Sequence, residues 1–277
     1  MSNLAQRVLT AILLIPCAVA GILYLPWRWL AVGLGLFVVV GALEWTFLAG
    51  WRGRKGIQVV FITAVLGSAA VCLVGPADWV FAILGAAVLW WILALLFVVV
   101  VQRGTPMPTA LSALAWSLIG WLLLVPAMVS LIVLHRSGAD GPHFLLLLMV
   151  MVWSADIGAY FVGRALGRRK LASRVSPGKS WEGAIGGAIA AASAAYVFAL
   201  YFTHPDMLPA FMAVAGVTIV VSILGDLTES LAKRVSGSKD SGQLLPGHGG
   251  VLDRIDSLTA AGPVFLAGLV LIGMVAI

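Results

Sequence analysis

The sequence predicts an all-α polytopic membrane protein with about nine transmembrane helices, the N-terminus cytoplasmic and the C-terminus on the outer side. Composition is the first observation behind this. Hydrophobic residues make up 62% of the chain and charged residues only 10%, where a soluble domain carries about 25% charged. A soluble fold cannot hide that much apolar surface, because surface remains a large share of any domain this size. The second observation is length: several apolar runs reach the roughly 20 residues needed to cross the hydrocarbon. The third is the sidedness of the basic residues.

The spans are expected at 8–25, 29–50, 57–74, 79–101, 112–134, 143–163, 183–203, 207–231 and 257–277. Most connectors are short and rich in turn formers, such as Gly75-Pro76-Ala77-Asp78 and Thr203-His204-Pro205-Asp206. Two are long, 164–182 and 232–256. With the N-terminus inside, both long connectors are cytoplasmic, and only Arg28 and Arg136 of the 17 Lys and Arg residues fall outside. A wrong span count would scramble that parity. Ala18-Val19-Ala20 resembles a signal-peptidase site, but the apolar run continues to Leu25 and the preceding charge is one arginine, so the first span is expected to be retained. The whole forms one integral membrane domain over 1–277, with N-terminal helices in 1–142 and core helices and cytoplasmic loops in 143–277.

Cys17 and Cys72 lie in apolar runs and are expected to be packing residues. Trp27, Trp29, Trp51 and Trp79 fall at span ends, where an aromatic belt is expected. His135, His143 and His204 fall at the outer face, away from any chemistry.

An acidic side chain inside a span costs several kcal/mol, on the order of 3, unless paired, hydrated or metal-bound. Glu44 stands alone near the inner end of the second span, and reaching the interface would satisfy it. Asp156 lies toward the cytoplasmic end of the sixth span among small and polar neighbours, which suggests an inward-facing site. Asp226 and Glu229 are three apart near the cytoplasmic end of the eighth, hence on one helical face. They need a counter-charge, and Lys233 continues that face. The loop beyond adds Arg234, Lys239, Asp240, Pro246-Gly247-His248-Gly249-Gly250, Asp253, Arg254 and Asp256. Carboxylates there suit a hard cation such as Mg²⁺, which binds through one or two carboxylates plus substrate phosphates. Lysines and arginines suit the remaining phosphate oxygens, and the glycine-rich turn lets backbone N–H groups approach an anion.

The other long connector, Ser176-Pro177-Gly178-Lys179-Ser180-Trp181-Glu182-Gly183, offers a lysine, two hydroxyls and permissive glycines. Its glycine-to-lysine spacing is not that of a P-loop. Beside the acidic cluster it forms a second wall of an anion site.

The run Ser230 to Asp256 resembles the signature of the phosphatidate cytidylyltransferase (CDP-diacylglycerol synthase) family, through Lys233-Arg234, Lys239-Asp240, His248-Gly249-Gly250 and Asp253-Arg254-Ile255-Asp256. The runs 225–230 and 176–183 resemble two further family segments. Ala232 and Ser180 depart from the commoner larger apolar residue and threonine, and neither change removes a charge. The resemblance covers roughly residues 150–260.

What the resemblance implies is transfer of the cytidylyl group of CTP to phosphatidate, giving CDP-diacylglycerol and pyrophosphate for phospholipid synthesis. It implies Mg²⁺, with or without K⁺, a homodimer, and a site on the cytoplasmic face of the plasma (inner) membrane. No nucleic-acid partner is expected. Asp226, Asp253, Lys239, Arg254 and Asp256 are the expected catalytic group. Asp226, Asp253, Asp256 and Asp156 are the expected metal ligands. Ser176, Lys179, Ser180, Glu182, Lys233, Arg234, Asp240, His248, Gly249 and Gly250 are expected at the substrates. The rival readings are a CTP-dependent lipid kinase and, further off, an ion-coupled transporter. Transporters bind substrate near the midplane, whereas these carboxylates cluster at one face.

Overall fold

The computed structural model describes residues 15–107, 111–238, 241–242 and 250–277. Its helices are α1 (Ile15–Tyr24), α2 (Trp27–Leu48), α3 (Lys55–Val74), α4 (Ala77–Gln102), α5 (Ala113–Arg136), α6 (Gly141–Leu166), α7 (Trp181–Phe202), α8 (Leu208–Val235) and α9 (Leu252–Leu271). Among the described residues, the eight from α2 onward are long and apolar enough to cross a membrane, α8 together with the 3₁₀ turn Pro205–Met207 that leads into it. The expected first span coincides with α1 where it is described, and residues 1–14 lie outside the described set.

The helix ends refine the expectation where the chemistry sits. α8 runs on to Val235, so Lys233 and Arg234 belong to its last turn rather than to a loop. α9 starts at Leu252, so Asp253, Arg254 and Asp256 lie in its first two turns. The connector after α6 also holds a feature the sequence reading did not foresee. It is a two-stranded antiparallel hairpin, β1 (Lys170–Ala172) with β2 (Ser176–Ser180), pairing Lys170 with Ser180 and Ala172 with Ser176.

α5 is the central helix: 72% of its most apolar stretch is buried, against 28–33% for α2, α3, α4, α6, α7 and α8. The outer helices show the apolar exposure expected of lipid-facing surface, including Leu96, Phe161, Ile189 and Val220. Trp29 and Trp79 are exposed as a belt requires. Trp51 is not; it is buried, edge-on to Phe61 at 6.0 Å. Trp91 packs inside as well.

α6 and α7 meet along small residues. Gly183, Gly187, Ala191, Ala195 and Ala199, four apart, form the buried stripe of α7, the spacing that lets membrane helices approach closely. A Cβ at Gly183 would lie 2.9 Å from the Ala159 carbonyl oxygen, and one at Gly158 2.8 Å from that of Gly186. Backbone therefore lies on backbone, and this seam fixes the end of α6 against the start of α7.

Candidate functional site

Five helix ends meet at one end of the bundle: the C-terminal ends of α2, α6 and α8 and the N-terminal ends of α7 and α9. There the hairpin folds β2 back so that Lys179 reaches α8, forming an ion pair with Asp226. Ser180 caps α7, its hydroxyl accepting the Gly183 N–H at 3.1 Å. Glu182 in the first turn of α7 accepts the backbone N–H groups of Arg168 (3.0 Å) and Arg169 (3.2 Å), and Arg169 Nε donates to it at 3.3 Å. Glu182 thus holds the entry to the hairpin. Arg234 is exposed, its Nε 3.5 Å from the Val175 carbonyl oxygen at the hairpin turn. Ser176 opens β2.

A cavity of about 440 Å³ lies between α6, α7, β2 and α8, within the size range of small-molecule sites. Asp156, Lys179, Ser180 and Asp226 line it, and Tyr160, Arg164, Ser222 and Ser257 add polar groups that the sequence did not single out. Tyr160 and Arg164 follow Asp156 at intervals of four on α6, and Arg164 Nη1 donates to the Tyr160 hydroxyl at 2.9 Å. That i, i+4, i+8 spacing was a legible signal. Asp156 lies within electrostatic range of Asp226, Lys179 and Arg254, and Asp256 within range of Asp226, Glu229 and Lys179. Asp256 Oδ1 accepts the Ser257 N–H at 2.6 Å.

A second group lies beside it, toward the α8–α9 contact. Lys233 Nζ donates to Glu229 Oε2 at 3.0 Å and to Asp253 Oδ1 at 2.6 Å, with all three side chains at most 14% exposed. Asp253 Oδ2 accepts the N–H of Gly250 at 2.8 Å and that of Ser241 at 3.4 Å. Lys233 and the Gly250 N–H, both expected at substrate, are therefore bonded to protein carboxylates here. Lys239, Asp240, His248 and Gly249 lie outside the described residues.

The four expected metal ligands do not form one cage: among the described residues, no three or more His, Cys, Asp or Glu side chains are grouped to hold a metal. The cavity group nonetheless fits a cation. Asp156, Asp226 and Asp256 stand among Lys179, Arg254 and the cavity-lining Arg164, and their carboxylate oxygens are the hard donors such a cation takes. Glu229 Oε1, buried near Asp256, has no hydrogen-bond partner among the described residues. Mg²⁺ takes few protein carboxylates and completes its shell with water and phosphate.

The model of the cytidylyltransferase family matches residues 5–272. The chain belongs to the cytidylyltransferase family. Among its relatives, the phosphatidate cytidylyltransferase of Pseudomonas aeruginosa is 44% identical over 95% of this chain and 96% of its own length. That of Haemophilus influenzae is 40% identical over 95% and 97%, and that of Brucella suis 38% identical over 94% and 91%. The similarity thus takes in the N-terminal helices as well as residues 150–260, where the sequence resemblance was specific.

Proposed function

We infer that this member of the cytidylyltransferase family is a phosphatidate cytidylyltransferase, a membrane transferase of phospholipid synthesis. It joins CTP and phosphatidate to give CDP-diacylglycerol and pyrophosphate. The observation that carries this reading is near-full-length identity to enzymes of that name, and a cavity at one end of the bundle whose walls alternate carboxylates with cations supports it.

In the reaction a phosphate oxygen of phosphatidate forms a bond to the α-phosphorus of CTP. The bond from that phosphorus to the α–β bridging oxygen breaks, and its electron pair leaves with pyrophosphate. The nucleophile is already an anion, so no strong base is required. The obstacle is the approach of one anion to another, and positioning with charge neutralisation overcomes it. Lys179 and Arg164 both line the cavity, each able to take phosphate oxygens. Lys179 then exchanges Asp226 for phosphate, which frees the Asp226 carboxylate. Asp226, Asp256 and Asp156 would hold Mg²⁺, with Asp253 behind them through Lys233. When bound, the cation supplies charge neutralisation at the phosphates. K⁺ as an accompanying ion has the same carboxylates available.

The cavity end of the bundle is proposed to face the cytoplasm of the plasma membrane, where CTP is dissolved and the lipid arrives laterally. Pairing of two copies belongs to the same proposal, and the mass of the detergent-solubilised particle tests it. The activity itself is tested with CTP carrying label in its γ-phosphate and purified protein in detergent. Label is expected in pyrophosphate, released only when phosphatidate and Mg²⁺ are both present. Label in lipid would identify a kinase and overturn the assignment. Lys179→Met is expected to lower turnover about 100-fold by removing one phosphate cation.

A further inference from the structure

Glu44, on α2 in the N-terminal half, is enclosed by protein, not open at the interface as its isolation in the sequence suggested. It is 3% exposed. Its Oε1 accepts the Val251 N–H at 3.0 Å, and its Oε2 accepts the Leu252 N–H at 2.8 Å and the Ser241 hydroxyl at 3.4 Å. The first N–H groups of a helix have no intrahelical partner, and Val251 at the N-cap of α9 makes no side-chain cap bond. A carboxylate from α2 supplies what the local sequence lacks, where the helix dipole favours negative charge.

The support behind Glu44 is rigid. Trp45 Nε1 donates to the Trp116 carbonyl at 2.8 Å, and Gln58 Nε2 donates to Thr46 Oγ1 at 3.1 Å. These contacts fasten the end of α2 to α5 and α3. On the other side the backbone comes close. A Cβ at Gly250 would lie 2.6 Å from Glu44 Oε2, and one at Gly242 2.7 Å from Glu44 Cδ. Glycine is needed at both positions for this approach.

We propose that Glu44 is a positioning residue for the transfer reaction, holding the start of α9 so that Asp253, Arg254 and Asp256 point where the chemistry needs them. This rests on the reading of the site given above. Gly250 is held from both sides, since Asp253 takes its N–H and Glu44 takes those of the next two residues. Slippage of α9 by one residue would turn its side chains by about 100°, carrying Asp253 off Lys233 and Asp256 off the cavity group. The N-terminal helices therefore reach the chemistry through the register of α9.

Glu44→Gln tests this, because its amide NH₂ must face one of the two N–H donors. In protein that elutes and melts as wild type, kcat is expected to fall about 10- to 100-fold with KM for CTP changed less than about threefold. Hydrogen exchange at residues 250–256 is expected to quicken while that of α6 and α7 stays unchanged. Glu44→Asp, which keeps the charge, is expected to recover part of the lost kcat. Gly250→Ala crowds the same carboxylate from the loop side and should reproduce the defect, the double variant being no worse than the poorer single one. Wild-type kcat per folded molecule in Glu44→Gln overturns the proposal. If that variant does not fold, wild-type kcat in Gly250→Ala overturns it. Absence of pyrophosphate release from the wild type would instead sink the enzymatic reading, and the exchange measurement would still report on the clamp.

Discussion

α8 and α9 each carry two acidic residues three apart, Asp226 with Glu229 and Asp253 with Asp256, and the two pairs divide in the same way. One member of each serves the cavity side: Asp226 lines the cavity, and Asp256 lies within electrostatic range of Asp226 and Lys179. The other, Glu229 and Asp253, closes on Lys233 in a buried clasp. The same residue type at the same spacing thus serves two ends. The clasp ties α8 to α9, because its lysine comes from one helix and one of its carboxylates from the other. The other two carboxylates are bound more loosely: Asp226 takes a lysine on a hairpin and, at 3.4 Å, the Ser230 hydroxyl, and Asp256 takes a neighbouring backbone amide. Paired burial fixes geometry, and partial pairing next to a cavity leaves room for ligands.

Four substitutions probe this division. Asp226→Asn is expected to lower pyrophosphate release about 1000-fold while leaving the melting temperature near wild type. Asp253→Asn should lose both activity and thermal stability, since its amide must oppose either Lys233 or the Gly250 N–H. An unchanged melting temperature in Asp253→Asn would erase the distinction between the two groups. Lys233→Met leaves two buried carboxylates without their cation, at a cost of about 3 kcal/mol. It should be read as a lower unfolding midpoint in detergent, larger than any produced by Lys179→Met. Ser180→Ala removes the cap of α7, worth about 1 kcal/mol, and is expected to lower the midpoint by about 2–4 °C. A raised KM for CTP with no change in midpoint would place the Ser180 hydroxyl on substrate instead.

Much of this was legible in the sequence. Apolar length marked the spans. The i, i+3 carboxylates and Lys233 one turn beyond them announced a shared face, and Lys233 does close on Glu229. Which member of each pair would face the cavity was not legible, because that depends on how α8 and α9 are rotated against each other. The hairpin was hidden because three- and five-residue strands are too short to show an alternating pattern. Glu44 was the most instructive gap. Its isolation in an apolar run pointed to the interface, whereas its partner is the backbone of residues more than 200 positions away, and backbone amides leave no trace in residue identity.

The glycine and alanine seam between α6 and α7 has a bearing on how the protein meets bilayers of different thickness. Asp156 is carried by α6, and Lys179 stands two residues before α7. Along the stretch from Gly158 and Ala159 to Gly183 and Gly187 the contact is backbone against backbone, which leaves little deformable side chain there to absorb shear. A thinner or thicker bilayer is then expected to tilt the pair as one body. The gap between an acidic group on one helix and a basic group at the mouth of the other would survive that tilt, much as the jaws of a caliper keep their setting when the tool is turned.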